Sequence, residues 1–201
     1  VLPAVHYTMG GILADGRTAS PLPGLYSAGE CSSVGIHGAN RLGSNSLTEL
    51  LVFGKVAGLE AARFALEQAE PATATLHQLA EAAVQRATAS VGQGRGTERL
   101  ASLRKAMAQT MEDGCGIYRT AQAMQATCDT LAELKERARH LIVEDRSKAW
   151  NTEFLLALAL LHELDVAEAM AHSALHRRES RGSHQRLDGF GERFVGGAAR
   201  F

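Results

Sequence analysis

The chain has 201 residues, 45% apolar, 21% charged and 5% aromatic, the make-up of a folded globular protein rather than a disordered or fibrous one. Twenty-one lysines and arginines stand against 22 aspartates and glutamates, a formal charge of −1 that gives no reason to expect nucleic acid or an anionic membrane surface as partner. Residue 1 is valine inside a strand-like segment, which reads as a processed start or as a piece of something longer.

Glycine and proline are unevenly spread: ten of the 20 glycines and three of the four prolines, Pro3, Pro21 and Pro23, fall in the first 58 residues, and none of the prolines follows Pro71. Proline costs about 3 kcal/mol inside a helix, so the long proline-free remainder, rich in alanine, leucine, glutamate and glutamine, is expected to be helical. The fold class expected is therefore α+β, predominantly helical, with strands, turns and one helix first.

Asp15-Gly16 reads as a turn between Gly11-Ile12-Leu13 and Arg17-Thr18, Pro21 to Gly24 as a second break, and Leu25-Tyr26-Ser27-Ala28 as a short strand. A glycine-rich polar loop follows from Cys31 to Gly43. A helix then opens near Ser44 to Thr48 and runs to about Gln68, packed onto a sheet, with Gly54 and Gly58 on one face for close approach to a neighbour.

Four helices are expected after it, forming a bundle. The first opens at Thr73 or Thr75 and runs to Ser90, with Leu76, Leu79, Ala83, Val84 and Ala87 on one face. Gly92, Gly94 and Gly96 have the wrong spacing and setting for a dinucleotide fingerprint and read as an interhelical loop. Thr97 is the expected N-cap of the second, with Leu100, Leu103, Met107 and Met111 on its apolar face and Gly114 as its stop. The third runs from Thr120 to about Val143. Asn151 or Thr152 caps the fourth, Glu153 to about His176, whose Phe154 to Leu161 portion is apolar all round and so is expected at the centre of the bundle. That run of eight is far below the ~20 residues of a membrane helix, so neither a direct membrane span nor a signal peptide is expected.

Cys31, Cys115 and Cys128 show no C-x-x-C or Cys/His spacing suited to zinc, so neither a disulfide framework nor a metal site is expected, and a reducing, cytoplasmic setting is. His172 and His176 are four apart on a helix, without a third ligand in register. Arg177, Arg178, Arg181 and Arg186 form a basic run, read as a solvated face or an ion-pairing surface for another domain or subunit, the latter favoured.

The segment from Gly29 to Leu47 is different in kind. Glu30, at the end of a short strand, can accept hydrogen bonds from a sugar or ribityl hydroxyl. Small residues from Gly43 to Ser46 open a helix, leaving backbone N–H groups and the positive end of the helix dipole aimed at one point, a site for an anion or a developing negative charge. Arg41, just before it, can grip a carboxylate bidentately. His6 is a second carboxylate contact if the first strand lies beside this loop, and His37 could line the same side. The structural alternatives are an ion-paired surface Arg41, a packed His6 and a turn-capping Glu30.

Three words in the first part, His6-Tyr7-Thr8-Met9-Gly10-Gly11, Gly24-Leu25-Tyr26-Ser27-Ala28-Gly29-Glu30-Cys31 and His37-Gly38-Ala39-Asn40-Arg41-Leu42-Gly43-Ser44-Asn45-Ser46-Leu47, resemble the flavoprotein subunit of the fumarate reductase and succinate dehydrogenase family. Met111 to Thr120, Ala171 to Ala174 and Glu179 to Asp188 continue the resemblance in order, leaning towards bacterial quinol:fumarate reductase over succinate dehydrogenase or L-aspartate oxidase. It implies the C-terminal lobe of an FAD-binding domain over 1–70, a helical bundle domain over 71–178 and a tail over 179–201.

The resemblance also implies roles. His6 and Arg41 bind the carboxylates of fumarate or succinate. His6, Tyr7, Glu30, Arg41, Leu42, Gly43, Ser44, Asn45, Ser46 and Leu47 hold or approach FAD. Electrons arrive through an iron–sulfur subunit and, beyond it, membrane anchor subunits, so the location implied is the cytoplasmic face of the inner membrane. The family's N-terminal dinucleotide-binding glycines, flavin-linking histidine and proton-donating arginine have no counterpart in these 201 residues, so the chain alone is expected to be inactive. The rival expectation is a non-catalytic helical interaction module. Residues 189–201 depart from the family pattern.

Overall fold

The computed structural model describes residues 6–70, 72–90, 96–147 and 149–188. The Gly92 and Gly94 part of the expected interhelical loop, the strand-like start before His6 and the divergent stretch 189–201 lie outside them. The chain is α+β and predominantly helical, and it divides into two units, Val1–Pro71 and Ala72–Phe201.

In the first unit, β1 (Ile12–Leu13) pairs in parallel with β2 (Ser32–Ser33), Ile12 opposite Ser32 and Leu13 opposite Ser33. The pair forms because Gly11, at φ +133°, brings the backbone against Cys31: a Cβ there would overlap the Cys31 carbonyl that accepts the Ile12 N–H at 2.8 Å. Asp15 makes the expected turn, its Oδ1 accepting the N–H groups of Arg17 and Ala19 at 2.8 and 3.0 Å. The strand expected over Leu25–Ala28 reduces to one antiparallel bridge, Ala19 to Tyr26. Pro21 and Pro23 have no N–H to extend a ladder.

Helix α1 (Asn45–Glu67) follows Ser44, which stands at φ 66°. It lies on loops rather than on a broad sheet: Leu50 closes over Gly29, and Phe64 over Gly24 and, edge to face, over Tyr26. Among the described residues, nothing outside the helix stands within 4 Å of where a Cβ on Gly54 or Gly58 would be. Leu47, Leu51, Val52, Leu59 and Leu66 on this helix are exposed.

All four helices expected in the second unit form, and three of them pack on one another: α3 (Leu100–Cys115), α4 (Ala121–Ala138) and α5 (Thr152–His176). Leu103, Cys128, Leu131, Leu134, Leu141, Ala157, Leu160 and Leu164 form their common core. Helix α2 (Thr73–Ser90) is not part of that core, and its Leu76, Leu79 and Val84 are exposed. Gly114 lies inside α3, where the sequence suggests a stop; it is buried because α4 crosses so closely that a Cβ would overlap Thr127 Oγ1. Helix α5 packs on both partners, yet Leu155, Leu156, Val166 and Met170 face outward, so its all-round apolar stretch is not fully enclosed.

One expected cap holds, Thr120 is found capping the helix it was expected to begin, and two boundaries shift. Thr120 caps α4 by accepting the Ala123 N–H at 3.2 Å, and Asn151 caps α5 by accepting that of Phe154 at 2.8 Å. Helix α3 starts after Arg99 rather than at Thr97, because β3 (Glu98–Arg99) pairs in parallel with β5 (Leu141–Ile142). The same pairing ends α4 at Ala138, short of Val143. A third parallel pair, β4 (Tyr118–Arg119) with β6 (Gln185–Arg186), ties the segment after α5 back to the turn before α4.

Candidate functional site

Residues 6–10 run without regular structure along the first unit, and two of them set the local frame. Glu30 Oε1 accepts the Thr8 N–H at 2.9 Å, anchoring the segment beside the loop that begins at Gly29. Tyr7 is half-buried and donates its hydroxyl to Glu49 Oε2 at 3.0 Å, across 42 residues. His6, its neighbour, is exposed and makes no hydrogen bond or ion pair among the described residues.

Arg41 comes to Tyr7 from the other side. Its guanidinium carbon lies 4.4 Å from the tyrosine ring centroid, a cation–π contact, and its Nη1 turns back onto the Leu42 carbonyl at 3.0 Å. Its Nε is buried and has no hydrogen-bond partner. A buried guanidinium donor with no acceptor among the described residues is costly.

The start of α1 has the same character. Ser44 makes no side-chain cap and the first turn holds no acidic residue, so neither a capping side chain nor a carboxylate offsets the positive end of this 23-residue helix. Leu42, Gly43, Ser44, Asn45 and Leu47 are exposed and Ser46 half-buried. A hollow of about 40 Å³ lies beside this region, lined by Met9, Gly10, Ser32, Ser33, His37 and Glu49 among others. Ser32 adds a second buried polar atom without a partner, its Oγ. The Asn45 and Leu47 N–H groups are taken by the Leu42 and Ser44 carbonyls, at 3.2 and 3.1 Å. The positive end of the helix dipole, the Arg41 guanidinium and a Glu30 carboxylate with an oxygen to spare fit the acceptor-rich edge and ribityl hydroxyls of a flavin.

Of the residues the sequence picks out, Tyr7 and Arg41 are brought into contact, Glu30 is tied to Thr8, and His37 joins the group through Glu49, its Nε2 2.8 Å from Glu49 Oε2. Glu49 itself escapes sequence reasoning. The available signal is a lone carboxylate amid Leu47, Leu50, Leu51 and Val52 on an apolar helix, and that signal does not say which way it points. The larger concavity, about 530 Å³ and widely open, lies in the second unit beside Ser173, His176, Arg177, Arg178 and Glu179, and none of the expected site residues lines it. Its basic run is mostly self-paired: Arg177 and Arg181 both reach Glu179, and Arg186 turns inward to Asp188, with its side chain 1% exposed, so it is not part of a docking surface. His176 turns its Nδ1 onto the His172 carbonyl at 2.7 Å.

With that geometry in place, comparison with known proteins is decisive. Residues 1–47 match a family described as FAD binding domain, and residues 104–194 match one described as Fumarate reductase flavoprotein C-term. The fumarate reductase flavoprotein subunit of a Serratia strain is 52% identical over 188 residues, which is 94% of this chain and 31% of that protein. Over nearly its whole length the chain is similar in sequence to the flavoprotein subunits of fumarate reductase and succinate dehydrogenase. It spans about a third of the length of these relatives. A solved E. coli quinol fumarate reductase chain superposes with a TM-score of 0.86 at 50% identity, covering 91% of this chain and 31% of that one. The succinate dehydrogenase flavoprotein subunit of Rickettsia bellii is more distant, at 37% identity over 198 residues, which is 94% of this chain and 33% of that protein. The FAD-binding match takes in Tyr7, Glu30, His37 and Arg41 and ends at Leu47, just before Glu49.

Proposed function

We propose that the chain forms the substrate-facing end of the FAD-binding domain and the helical domain of a flavoprotein subunit that interconverts fumarate and succinate. The observation that carries this reading is Arg41: a buried guanidinium edge without a partner, set beside the uncapped start of a long helix. In the intact subunit, Arg41 and His6 grip the two carboxylates of the substrate. Glu30 takes a hydroxyl of the cofactor, and Arg41 to Leu47 lie along its ring system.

Bound FAD supplies a two-electron carrier that can pass a hydride to one carbon of the fumarate double bond. The chain's own part is electrostatic. The positive end of the α1 dipole and the Arg41 cation are set, before any charge develops, at the place where reduction puts negative charge, and fixed charges of this kind need no reorganisation as the charge appears. The proton for the second carbon comes from outside these residues, and electrons come through an iron–sulfur subunit held at the cytoplasmic face of the membrane by anchor subunits. Among the described residues no helix is long and apolar enough to cross a membrane. The exposed leucines of α1 support docking to the remainder of such a subunit. The higher identity to fumarate reductases favours that direction over succinate oxidation.

The test uses two proteins. In the intact subunit, Arg41→Ala should abolish binding of malonate, a dicarboxylate with no double bond to reduce, while the flavin stays bound; unchanged affinity would remove Arg41 from the substrate site. The 201-residue chain alone should neither retain FAD through gel filtration nor reduce fumarate with an artificial donor, and turnover by that chain would sink the claim that other parts are required.

A further inference from the structure

Glu49 is 4% exposed and is the buried residue of α1, a helix otherwise exposed or half-buried. Taking a carboxylate out of water is costly unless it is paired, and all of the pairing shown for Glu49 converges on one oxygen. Oε2 accepts from the Tyr7 hydroxyl at 3.0 Å and stands 2.8 Å from His37 Nε2. A carboxylate oxygen accepts, so this contact puts the hydrogen of His37 on Nε2. The two rings held in this way meet edge to face, their centroids 6.1 Å apart and their planes at 87°. Arg41 lies on the face of the Tyr7 ring.

We propose that Glu49 is a positioning residue for the dicarboxylate site: it clamps Tyr7 and His37 together, and the Tyr7 ring then sets the plane of the Arg41 guanidinium. The inference rests on the reading of Arg41 as the carboxylate anchor. Its physical logic is that a carboxylate paired directly with Arg41 would compete with the ligand for the same guanidinium. Acting through a neutral phenol ring, Glu49 can orient the cation without neutralising it. Burial, followed by the hydrogen bond to Glu49, pushes the Tyr7 phenol above its ordinary value, which keeps it a donor at neutral pH. Arg41 has no carboxylate among its hydrogen bonds, which leaves it available to one from outside.

The experiment measures malonate affinity, KM and kcat for fumarate, and the melting temperature in the intact, flavin-loaded subunit with its electron-transfer partner. Glu49→Gln should weaken malonate binding about tenfold or more, the scale of one lost charge-assisted hydrogen bond, and raise KM by a similar factor with a smaller change in kcat. Tyr7→Phe, which removes only a hydroxyl, should weaken binding in the same sense and serves if Glu49→Gln does not fold. In the Tyr7→Phe background, Glu49→Gln should add much less than it does alone, because its route to Arg41 is already cut. If Arg41→Ala abolishes malonate binding while Glu49→Gln and Tyr7→Phe leave it within twofold, the positioning role is overturned and the anchor reading survives. If Arg41→Ala has no effect, the anchor reading fails and the positioning role falls with it.

Discussion

Arg119 Nη1 lies 2.9 Å from His184 Nδ1, joining residues 65 positions apart where β4 and β6 pair. Arginine can only donate, so Nδ1 accepts, and the ring hydrogen sits on Nε2, which points at the Arg177 carbonyl 3.3 Å away. His184 is buried and neutral. Burial pushes its imidazole below the ordinary value, and Arg119, Arg186 and Arg177 push the same way against the opposing Arg177 carbonyl.

A pH dependence follows. In the unfolded chain His184 takes up its proton near pH 6.5, whereas in the fold it does so only at lower pH, so the unfolded state binds more protons in that window and stability falls as the pH drops through it. Melting temperatures measured from about pH 7.5 down to about pH 5 should decline, and His184→Gln, which can still accept from Arg119 and donate to Arg177, should flatten the part of the slope due to this residue. Identical slopes for the two proteins would exclude His184 as the source.

Asp188 links the end of the described chain to the start of α4. Its carboxylate accepts from Arg186 Nε and Nη2, both at 2.8 Å, and from the Ala121 N–H at the first residue of the helix. The Arg186 pair, aided by that N–H, holds the carboxyl well below the usual carboxylate range. Asp188→Asn should destabilise the second unit by about 2–3 kcal/mol, since a charged acceptor is lost to a buried guanidinium. The wild-type contribution should persist above about pH 4 and be lost on stronger acidification, as the carboxyl protonates in the unfolded chain first. Denaturant melts of both proteins at neutral pH measure the first effect.

Gly114 and Thr127 mark the closest approach of α3 to α4. Gly114→Ala adds a methyl where Thr127 Oγ1 sits and where the Ala123 carbonyl is 2.9 Å from the new atom. Overpacking of this kind costs about 1–3 kcal/mol, which exceeds the gain of about 1 kcal/mol in helix propensity when the helices cannot part. Calorimetry should show a lowered melting temperature, and Thr127→Ala added to Gly114→Ala should restore part of it, so that the two substitutions are not additive. A more stable Gly114→Ala protein would mean that the helices separate easily.

Leu160 and Leu79 test the division between packed and unpacked helices. Leu160 is fully buried in α5, so Leu160→Ala should cost about 2–5 kcal/mol. Leu79 on α2 is 60% exposed, and Leu79→Ala in this chain should change stability by less than about 0.5 kcal/mol. A comparable loss at both positions, read from urea midpoints, would place α2 in the core.

Local sequence is enough to show where the helices lie, because helix formation depends on partners a few residues away. Asn151, one of two candidate caps, is legible since a cap bonds the N–H three residues on. The glycine-rich opening of α1 and the Arg41 before it are legible for the same reason. The features that escape such a reading join residues far apart along the chain. The Glu98–Arg99 strand ends one helix and delays another by pairing with residues more than 40 positions away, and no local pattern contains that partner. Helix α2 has an apolar stripe too, yet among the described residues it is α3 whose stripe meets other helices. Glu49 is the sharpest case. Periodicity places it on a helix, but its direction is set by Tyr7 from 42 residues upstream and by His37 from the preceding loop. A hydrogen bond between distant side chains leaves no mark on either local sequence, and it is this bond that places Arg41 against Tyr7.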